Sequence, residues 1–273
     1  MDFVPDSDFA KLFWSSDDFH TYTRAYINTN ENLHISMKYM PKRCGRALVV
    51  AASGDHPLFC SLYGAEHVDT FDVSYNAKCL MDIKVAALGC LDREQYSDLL
   101  EDLYSKNDIC DVRHIQEISK RIPQQQYKYL CEMKYYPVFQ RGITADIFGY
   151  DDFDGRALTV SEYEKLREIV KEPYNFILTN IDDLSAHLTG KYDFMHLSNI
   201  FDYVPKQNRF DVLEPLLNHV NVGGRIVIQH MGKRRRNVWN VSPIPIKTIF
   251  SDVFWDWRFK RCKNRISVLQ KVR

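Results

Sequence analysis

Hydrophobic and polar positions follow two different periods along the chain, and their succession predicts a parallel α/β sheet. Residues 46–52, RALVVAA, form an almost continuous apolar run, which is typical of a strand buried on both faces. Pro57 suits the first position of a following helix that ends at Gly64. Residues 67–74, HVDTFDVS, predict a second strand, and residues 75–89 predict an amphipathic helix with its apolar positions close to one face. This βαβα unit implies parallel strands with right-handed connections.

The alternation of predicted strands and helices resumes in the second half of the chain. Strands are predicted within 174–184 (YNFILTNIDDL), 192–204 (YDFMHLSNIFDYV) and 222–231 (VGGRIVIQHM), with a helix containing Pro215 between the last two. Residues 254–272 predict two strands joined by a tight turn, which would form an antiparallel hairpin. The whole pattern predicts a doubly wound, Rossmann-like α/β sheet that ends in this hairpin.

Two stretches of the chain do not follow this alternation of strands and helices. Residues 1–43 contain aromatic-rich pieces that we expect to be helical, and residues 91–173 are polar, tyrosine-rich and mostly helical in pattern. We therefore predict an N-terminal helical segment (1–43), a core (44–90 and 174–273) and a helical insertion (91–173). The insertion would serve either as a wall or lid of a ligand site or as a plain helical packing layer.

Composition and charge narrow the classes of protein that fit. The chain of 273 residues is 45% hydrophobic and 26% charged, which provides enough apolar sequence for a sizeable core. Its formal net charge is +0 and its pI is about 7.1, so no global charge favours nucleic acid or an anionic membrane. The seven cysteines are scattered and include no CxxC pair, which argues against a disulfide framework and against a zinc site, so we expect no metal. We expect a cytoplasmic protein without a membrane span, with a small molecule rather than nucleic acid as its partner.

Small and acidic residues follow the first two predicted strands, at the edge where open α/β sheets bind ligands. Ser53, Gly54 and Asp55 follow the first strand, and Asp72 closes the second. Asp72 is placed to accept hydrogen bonds from ribose hydroxyls, whereas one glycine followed by an acid lacks the GxGxxG arrangement that binds a pyrophosphate. These features favour a nucleoside without phosphates that carries a cation, and S-adenosylmethionine fits. The alternative is a tight strand-to-helix turn with a capping aspartate.

Several short motifs are spread over both halves of the core. They are the turn Ser53-Gly54-Asp55, the acid Asp72, the run Lys84-Val85-Ala86-Ala87, and Leu197, Ser198, Asn199 and Asp202 in HLSNIFDYV. In this order they resemble the S-adenosylmethionine-dependent 3-amino-3-carboxypropyltransferases typified by the diacylglycerol enzyme of betaine-lipid synthesis. That family has an Ala-Gly-Asp turn, a strand-ending acid, a Lys-x-Ala-Ala-like run and a Leu-Ser-Asn-x-x-Asp segment. Of the family's upstream Trp-Glu-Asp segment, only Glu31 is kept.

The resemblance implies a transferase that moves the 3-amino-3-carboxypropyl group of S-adenosylmethionine to a small acceptor and releases 5′-methylthioadenosine. One alternative is a methyltransferase that uses the same pocket, and another is a nonenzymatic protein that binds S-adenosylmethionine or a partner. The terminal hairpin suits the class I S-adenosylmethionine-dependent fold better than a dehydrogenase, so we expect that fold class. The sequence leaves the acceptor and the oligomeric state open.

The predicted cofactor-binding residues have separate tasks. Glu31 and Asp55 are candidates to pair with the ammonium group of the cofactor, since both are acids near the motifs. Asp182 and Asp183 follow a predicted strand and would contact the adenine amino group, or they would simply be solvated. The full set is Glu31, Ser53, Gly54, Asp55, Asp72, Asp182, Asp183, Ser198 and Asn199.

A hydroxyl acceptor would also need a base. Asp202 is our first candidate because it lies on the matching segment, and Tyr203 and His196 are the other choices. Ser198 and Asn199 would donate hydrogen bonds to the cofactor carboxylate or to the acceptor. The structural alternatives are a helix cap for Asp202, a packed core position for His196, and a simple backbone turn at Ser198 and Asn199.

One basic run follows the strand at 222–231. It reads GKRRRNVW, and Arg234, Arg235 and Arg236 would bind an anionic acceptor if they line the site. A run of like charges is also common on a solvated surface.

Overall fold

The structure, a computed structural model, describes residues 25–29, 31–106, 108–133, 139–140, 158–231, 246–255 and 263–273. Arg234, Arg235 and Arg236, and most of the predicted N-terminal helical pieces, lie outside these residues. Within the described ranges, no helix is both long enough and apolar enough to cross a bilayer.

The described part of the chain contains a two-stranded and a seven-stranded sheet. Their strands are β1 (Ala25–Tyr26), β2 (Cys44–Val50), β3 (Ala65–Asp72), β4 (Phe139–Gln140), β5 (Asn175–Leu178), β6 (Tyr192–His196), β7 (Val220–Met231), β8 (Ile246–Trp255) and β9 (Lys263–Lys271). The small sheet pairs β1 with β4, and the large sheet has the order β5-β3-β2-β6-β7-β9-β8. β2 is the point where strand order changes sides: β3 and β5 lie on one side of it, and β6 and the later strands lie on the other.

Strand register places the carboxyl ends of β2, β3 and β6 at one edge of the large sheet. β2 pairs in parallel with β3, where Val50 lies opposite Phe71, and with β6, where Val49 lies opposite His196. β6 pairs in parallel with β7, and His196 lies opposite Val227. β9 is antiparallel to both β7 and β8, between which it lies. This is the strand order of the class I S-adenosylmethionine-dependent fold, so the predicted fold class is confirmed.

Helices connect these strands. They are α1 (Leu33–Ser36), α2 (Asp55–Leu62), α3 (Tyr75–Leu88), α4 (Arg93–Ser105), α5 (Ile115–Ile118), α6 (Gln124–Glu132), α7 (Val160–Ile169), α8 (Leu184–His187) and α9 (Arg209–Leu217). Two helices of the predicted insertion, α4 and α7, begin with capping boxes, in which Asp92 pairs with Gln95 and Thr159 pairs with Glu162. These reciprocal hydrogen bonds satisfy backbone donors that have no partner within the helix.

The helix α3 differs from the amphipathic helix that the sequence predicts. All of its residues except Lys78 are buried, including the charged Lys84. The polar side chains inside have partners in the same part of the structure: Tyr129 donates a hydrogen bond of 2.8 Å to Asn76, and Lys84 pairs with Asp55. A helix can be buried on all sides only if its polar groups are satisfied in this way.

Three predicted boundaries were wrong. Ala25–Tyr26 is a short strand rather than part of a helix, because it pairs with β4. The helix α2 begins at Asp55, two residues before Pro57, and proline is tolerated there because the first-turn N–H groups need no helical partner. The first strand of the terminal hairpin is Ile246–Trp255, mostly upstream of the predicted 254–272, and it pairs along the full length of β9.

A polar cluster of Arg46, Asp69 and Tyr192 joins three strands of the large sheet. Asp69 of β3 accepts hydrogen bonds from Nε of Arg46 on β2 (2.7 Å) and from the hydroxyl of Tyr192 on β6 (2.8 Å). The Arg46 guanidinium also lies over the Tyr192 ring, 4.7 Å from its centroid. These contacts help to fix the register of β2, β3 and β6.

The described residues form two compact units. The first contains those within 1–30, 51–58 and 72–178, and it includes α3 to α7. The second contains those within 31–50, 59–71 and 179–273, and it includes β2, β6 to β9, α1, α8 and α9.

Candidate functional site

The turn that follows β2 in the first unit has an unusual backbone. Ala52 and Gly54 have positive φ angles of 46° and 81°, and the Gly54 N–H donates a hydrogen bond of 2.7 Å to the Ala51 carbonyl. A Cβ atom on Gly54 would lie 3.0 Å from Cα of Met81 in α3. Glycine is therefore needed here for its left-handed conformation and for the close approach of α3.

Asp55 is held by the protein at both carboxylate oxygens. Its Oδ2 accepts hydrogen bonds from the Thr29 N–H (2.8 Å) and the Ser53 hydroxyl (2.7 Å), and its Oδ1 lies 2.5 Å from Nζ of Lys84. Lys84 also donates a hydrogen bond of 2.6 Å to the Ile27 carbonyl. The ammonium group of a ligand would therefore compete with Lys84 for Asp55, and the geometry gives Asp55 the task of holding the turn.

Lys84 is a residue whose importance the sequence reasoning missed, although it lies in the Lys-x-Ala-Ala run. Its side chain is fully buried, and this burial lowers the Lys84 pKa, while the negative charge of Asp55 opposes the shift. A lysine in the middle of an otherwise apolar helix is the available sequence signal, because such a residue needs a buried partner.

Asp72 lies at the carboxyl end of β3 and is oriented by backbone amides. Its Oδ2 accepts a hydrogen bond from the Ala52 N–H and its Oδ1 accepts one from the Ser74 N–H, both of 2.9 Å. Burial raises the Asp72 pKa, and the hydrogen bonds from Ser74 and Ala52 oppose that shift. A carboxylate has about four acceptor positions, so Asp72 can bind further donors while its orientation stays fixed.

The second unit contains a buried group at the end of β6. The Ser198 hydroxyl donates a hydrogen bond to Oε1 of Glu31, and Ser198 adopts a positive φ of 49°. The Ser198 N–H donates to Nδ1 of His196 (3.2 Å), so the ring proton lies on Nε2, 3.9 Å from Oε2 of Glu31. Glu31 and Ser198, which were predicted separately, are thus in contact, and His196 occupies the packed core position that we gave as its alternative.

Asp202 pairs with a histidine that the sequence analysis did not select. Its Oδ1 lies 2.8 Å from Nδ1 of His230, near the carboxyl end of β7. Asp202 ends the 3₁₀ turn Ile200–Asp202, and Pro205 occupies the cap position of the next helical turn. The helix-cap alternative for Asp202 was therefore wrong. The sequence feature that could have selected His230 is its position at the end of a predicted strand, next to the last apolar residue.

The remaining predicted site residues have surface or partly buried positions. Tyr203 is 82% exposed, and Asn199 is half-buried beside Ser198. Asp182 and Asp183 are exposed before α8, where Asn180 donates a hydrogen bond of 2.9 Å to Asp183.

Comparisons with known proteins give weak likenesses to solved structures. No protein-family model matches the sequence, and no curated protein matches it. The chain is similar to the rRNA methyltransferase aviRa from Streptomyces viridochromogenes (TM-score 0.48, 12% identity, 94% of this chain and 92% of that one). It is also similar to the N-methyltransferase NodS from Bradyrhizobium japonicum WM9 (TM-score 0.42, 7% identity, 88% and 92%). A third match is TrmN from Thermus thermophilus (TM-score 0.39, 12% identity, 88% of this chain), of which this chain spans 47%. Likenesses this weak carry no functional argument, and the fold class follows from the strand order.

Proposed function

We propose that the chain binds S-adenosylmethionine and transfers a group from its sulfonium to an acceptor. The observation that carries this proposal is the geometry of Asp72, which lies at the carboxyl end of β3 and is held by the Ala52 and Ser74 amides. A fixed carboxylate at that edge is suited to accept hydrogen bonds from the two hydroxyls of a ribose.

The turn after β2 supports a nucleoside ligand without phosphates. Its backbone bends through Ala52 and Gly54, and the buried carboxylate of Asp55 follows immediately. The turn also lacks the GxGxxG arrangement that binds a pyrophosphate.

Methyl transfer is the reaction that we favour. Transfer of the 3-amino-3-carboxypropyl group requires the protein to hold and move the amino-acid end of the cofactor, for which Glu31 and Asp55 were the predicted partners. Asp55 is already bound by Lys84, and Glu31 accepts a hydrogen bond from Ser198. Methyl transfer only requires that the methyl group face the acceptor. Aminocarboxypropyl transfer is the second candidate, and it is supported by the Lys84-Val85-Ala86-Ala87 and Leu197-Ser198-Asn199 motifs.

The remaining residues complete the proposal. We assign the acceptor to the small-molecule class because the chain has no net charge to attract nucleic acid. Arg234, Arg235 and Arg236 are proposed to bind an anionic acceptor, and Asp182 and Asp183 the adenine amino group. A cytoplasmic location is part of the same proposal, since that is where we expect the cofactor and the acceptor to be.

Product analysis tests the proposal. The protein is incubated with S-adenosylmethionine and the small-molecule fraction of a cell extract, and the thioether product is identified by mass spectrometry. S-adenosylhomocysteine would indicate methyl transfer, and 5′-methylthioadenosine would indicate aminocarboxypropyl transfer. Binding of the cofactor without either product would reduce the function to binding, and calorimetry that detects no binding would overturn the proposal.

A further inference from the structure

We propose that His230 is the general base of the transfer reaction and that Asp202 positions its ring. This inference rests on the proposed function, and it identifies the acceptor as a group that must lose a proton from oxygen or nitrogen. It changes the role of Asp202 from base to positioning residue, because Asp202 contacts the imidazole directly.

The pair has the geometry of an oriented imidazole. Nδ1 of His230 lies 2.8 Å from Oδ1 of Asp202, and the side chains are 5% and 14% exposed. A carboxylate at this distance holds the ring proton on Nδ1 and leaves Nε2 as the acceptor. Among the described residues, Nε2 of His230 has no hydrogen-bond partner, so it can accept a proton from a substrate.

The pair is formed by the extension of β7 beyond the end of β6. The Leu197 N–H donates to the Val227 carbonyl (2.9 Å), and the Gln229 N–H donates to the Ser198 carbonyl (2.8 Å). These bonds carry β7 alongside the 3₁₀ turn Ile200–Asp202, which brings Asp202 to His230. Because this edge holds the carboxyl ends of the parallel strands, it is where an open α/β sheet binds its substrates.

The pair is separate from the Glu31, His196 and Ser198 group of the same unit. His196 lies opposite Val227 in the β6–β7 register, so His196 and His230 belong to opposite faces of the sheet. On β9, Arg265 lies opposite His230 and shares its face. The charged groups that face His230 are thus Arg265 from β9 and Asp202 from the 3₁₀ turn. On the other side of β7, the pairing with β6 ends at Val227, so β6 places no residue beside His230.

The proposed step balances without a further reagent. Nε2 of His230 takes the proton from an acceptor O–H or N–H group while the acceptor atom forms a bond to the transferred carbon. The bond between carbon and sulfur breaks, and its electron pair goes to the sulfur, which leaves as a neutral thioether. The sulfonium supplies the leaving group, so the protein has to supply orientation and a base.

Activity is measured as thioether release from S-adenosylmethionine, with the small-molecule fraction of a cell extract as the acceptor source. We expect His230→Gln to lower the rate by about 10²-fold or more, the usual contribution of a general base, with little change in cofactor affinity by calorimetry. Asp202→Asn should lower the rate by about 10-fold or more, and the acid limb of the pH–rate profile should be lost in His230→Gln. Imidazole in solution should restore part of the activity of His230→Gly.

The matched control is His219→Gln. His219 lies in the same unit, and its Nδ1 lies 3.1 Å from the Gly190 carbonyl, outside the proposed site, so its replacement should leave the rate unchanged. Thermal unfolding of each variant separates loss of the base from loss of the fold. If His230→Gln is unstable, Asp202→Asn and chemical modification of the wild type still test whether His230 is the base.

A second measurement does not depend on turnover. Diethyl pyrocarbonate reacts with unprotonated imidazole nitrogens, and peptide mass spectrometry locates the modified residues. We expect His230 and His219 to be modified in the folded wild type and the fully buried His196 to be protected. Protection of His230 would overturn its role as base. Unchanged thioether release in His230→Gln would overturn the base alone, whereas cofactor binding without thioether in the wild type would overturn the base and the transfer together.

Discussion

Nζ of Lys84 lies 2.5 Å from Oδ1 of Asp55, and both side chains are buried. The pair joins the middle of α3 to the turn that follows β2, and the same ammonium group binds the Ile27 carbonyl. A charge without water needs such partners, so the position of the proposed cofactor turn depends on a helix residue 29 positions away in the chain.

Removal of either member of the Lys84–Asp55 pair should therefore destabilise the fold strongly. Lys84→Met keeps most of the side-chain volume but leaves the Asp55 carboxylate uncompensated, and we expect a loss of about 3–5 kcal/mol in the free energy of unfolding, measured in urea. The matched control is Lys128→Met on α6, where the lysine is 76% exposed and 3.8 Å from Glu132, and where the loss should stay below about 1 kcal/mol. A double variant that also carries Asp55→Asn should recover part of the loss. Equal stability of the two single variants would contradict the role of the pair.

Asp72 should determine cofactor affinity. Asp72→Asn removes a charged acceptor of ribose hydroxyls, and S-adenosylmethionine binding should weaken by about 1.5–3 kcal/mol in calorimetry. Because burial raises the Asp72 pKa and binding requires the ionised carboxylate, wild-type affinity should fall as the pH is lowered towards that raised value. Asp211→Asn, the same change at an exposed site on α9, is the control. Unchanged affinity in a folded Asp72→Asn variant would exclude Asp72 from the site.

Two glycines allow strain to be separated from crowding. Gly54 and Gly64 have φ angles of 81° and 98°, but of the two only Gly54 has described atoms within 4 Å of a new Cβ, the nearest being Cα of Met81 at 3.0 Å. Gly64→Ala should cost about 1–2 kcal/mol for the left-handed backbone alone. Gly54→Ala should cost about 1–3 kcal/mol more, since the backbone of α3 has to move. Thermal and urea unfolding without ligand would measure the stability loss of both variants. Similar losses would mean that α3 can shift at little energetic cost, which would contradict the prediction.

Acid should weaken the first unit through Asp102 of α4. Burial alone would raise the Asp102 pKa. Hydrogen bonds from the Arg113 side chain and backbone and from Lys106 outweigh this effect and lower the pKa from 3.8 to about 2. A lowered pKa stabilises the folded state above pH 3.8, and this contribution is lost as the pH falls towards 2. We expect this contribution to the free energy of unfolding to be about 1–2 kcal/mol, because the exposure of Arg113 to solvent weakens the ion pair.

The test for Asp102 compares two acids on the same arginine. Asp102→Asn should lower the free energy of unfolding at neutral pH and flatten its decline between pH 4 and 2. Asp98→Asn removes an exposed partner, 3.1 Å from Arg113 and 39% exposed, and should change little. Identical acid profiles for the wild type and Asp102→Asn would contradict the prediction.

The fold could be predicted largely because its strands are locally distinctive. The apolar run of β2 and the helical period of α3 need no distant partner to be recognised, and Asp72 followed from its place at a strand end. The hairpin was placed too late because residues 246–255 mix charged and apolar side chains, and only pairing with β9 makes them a strand.

The contacts within the candidate site could not be predicted in the same way. Glu31 and Ser198 are 167 positions apart, and Asp202 and His230 meet only because β7 continues beyond the end of β6. Such pairings depend on strand register, which one sequence does not encode locally. The resemblance selected Asp202 but gave no reason to select its imidazole partner.

The position of β9 between β7 and β8 also has a consequence for how the molecule is made. β8 is synthesised first, yet it reaches the sheet only through β9, so it has no neighbour to pair with until residues 263–271 have left the ribosome. Until then, the open edge of β7 and the unpaired β8 are exposed to other chains. We expect the hairpin to form first and to dock onto β7 as one piece, so that the proposed base on β7 acquires its rigid support only at the end of folding.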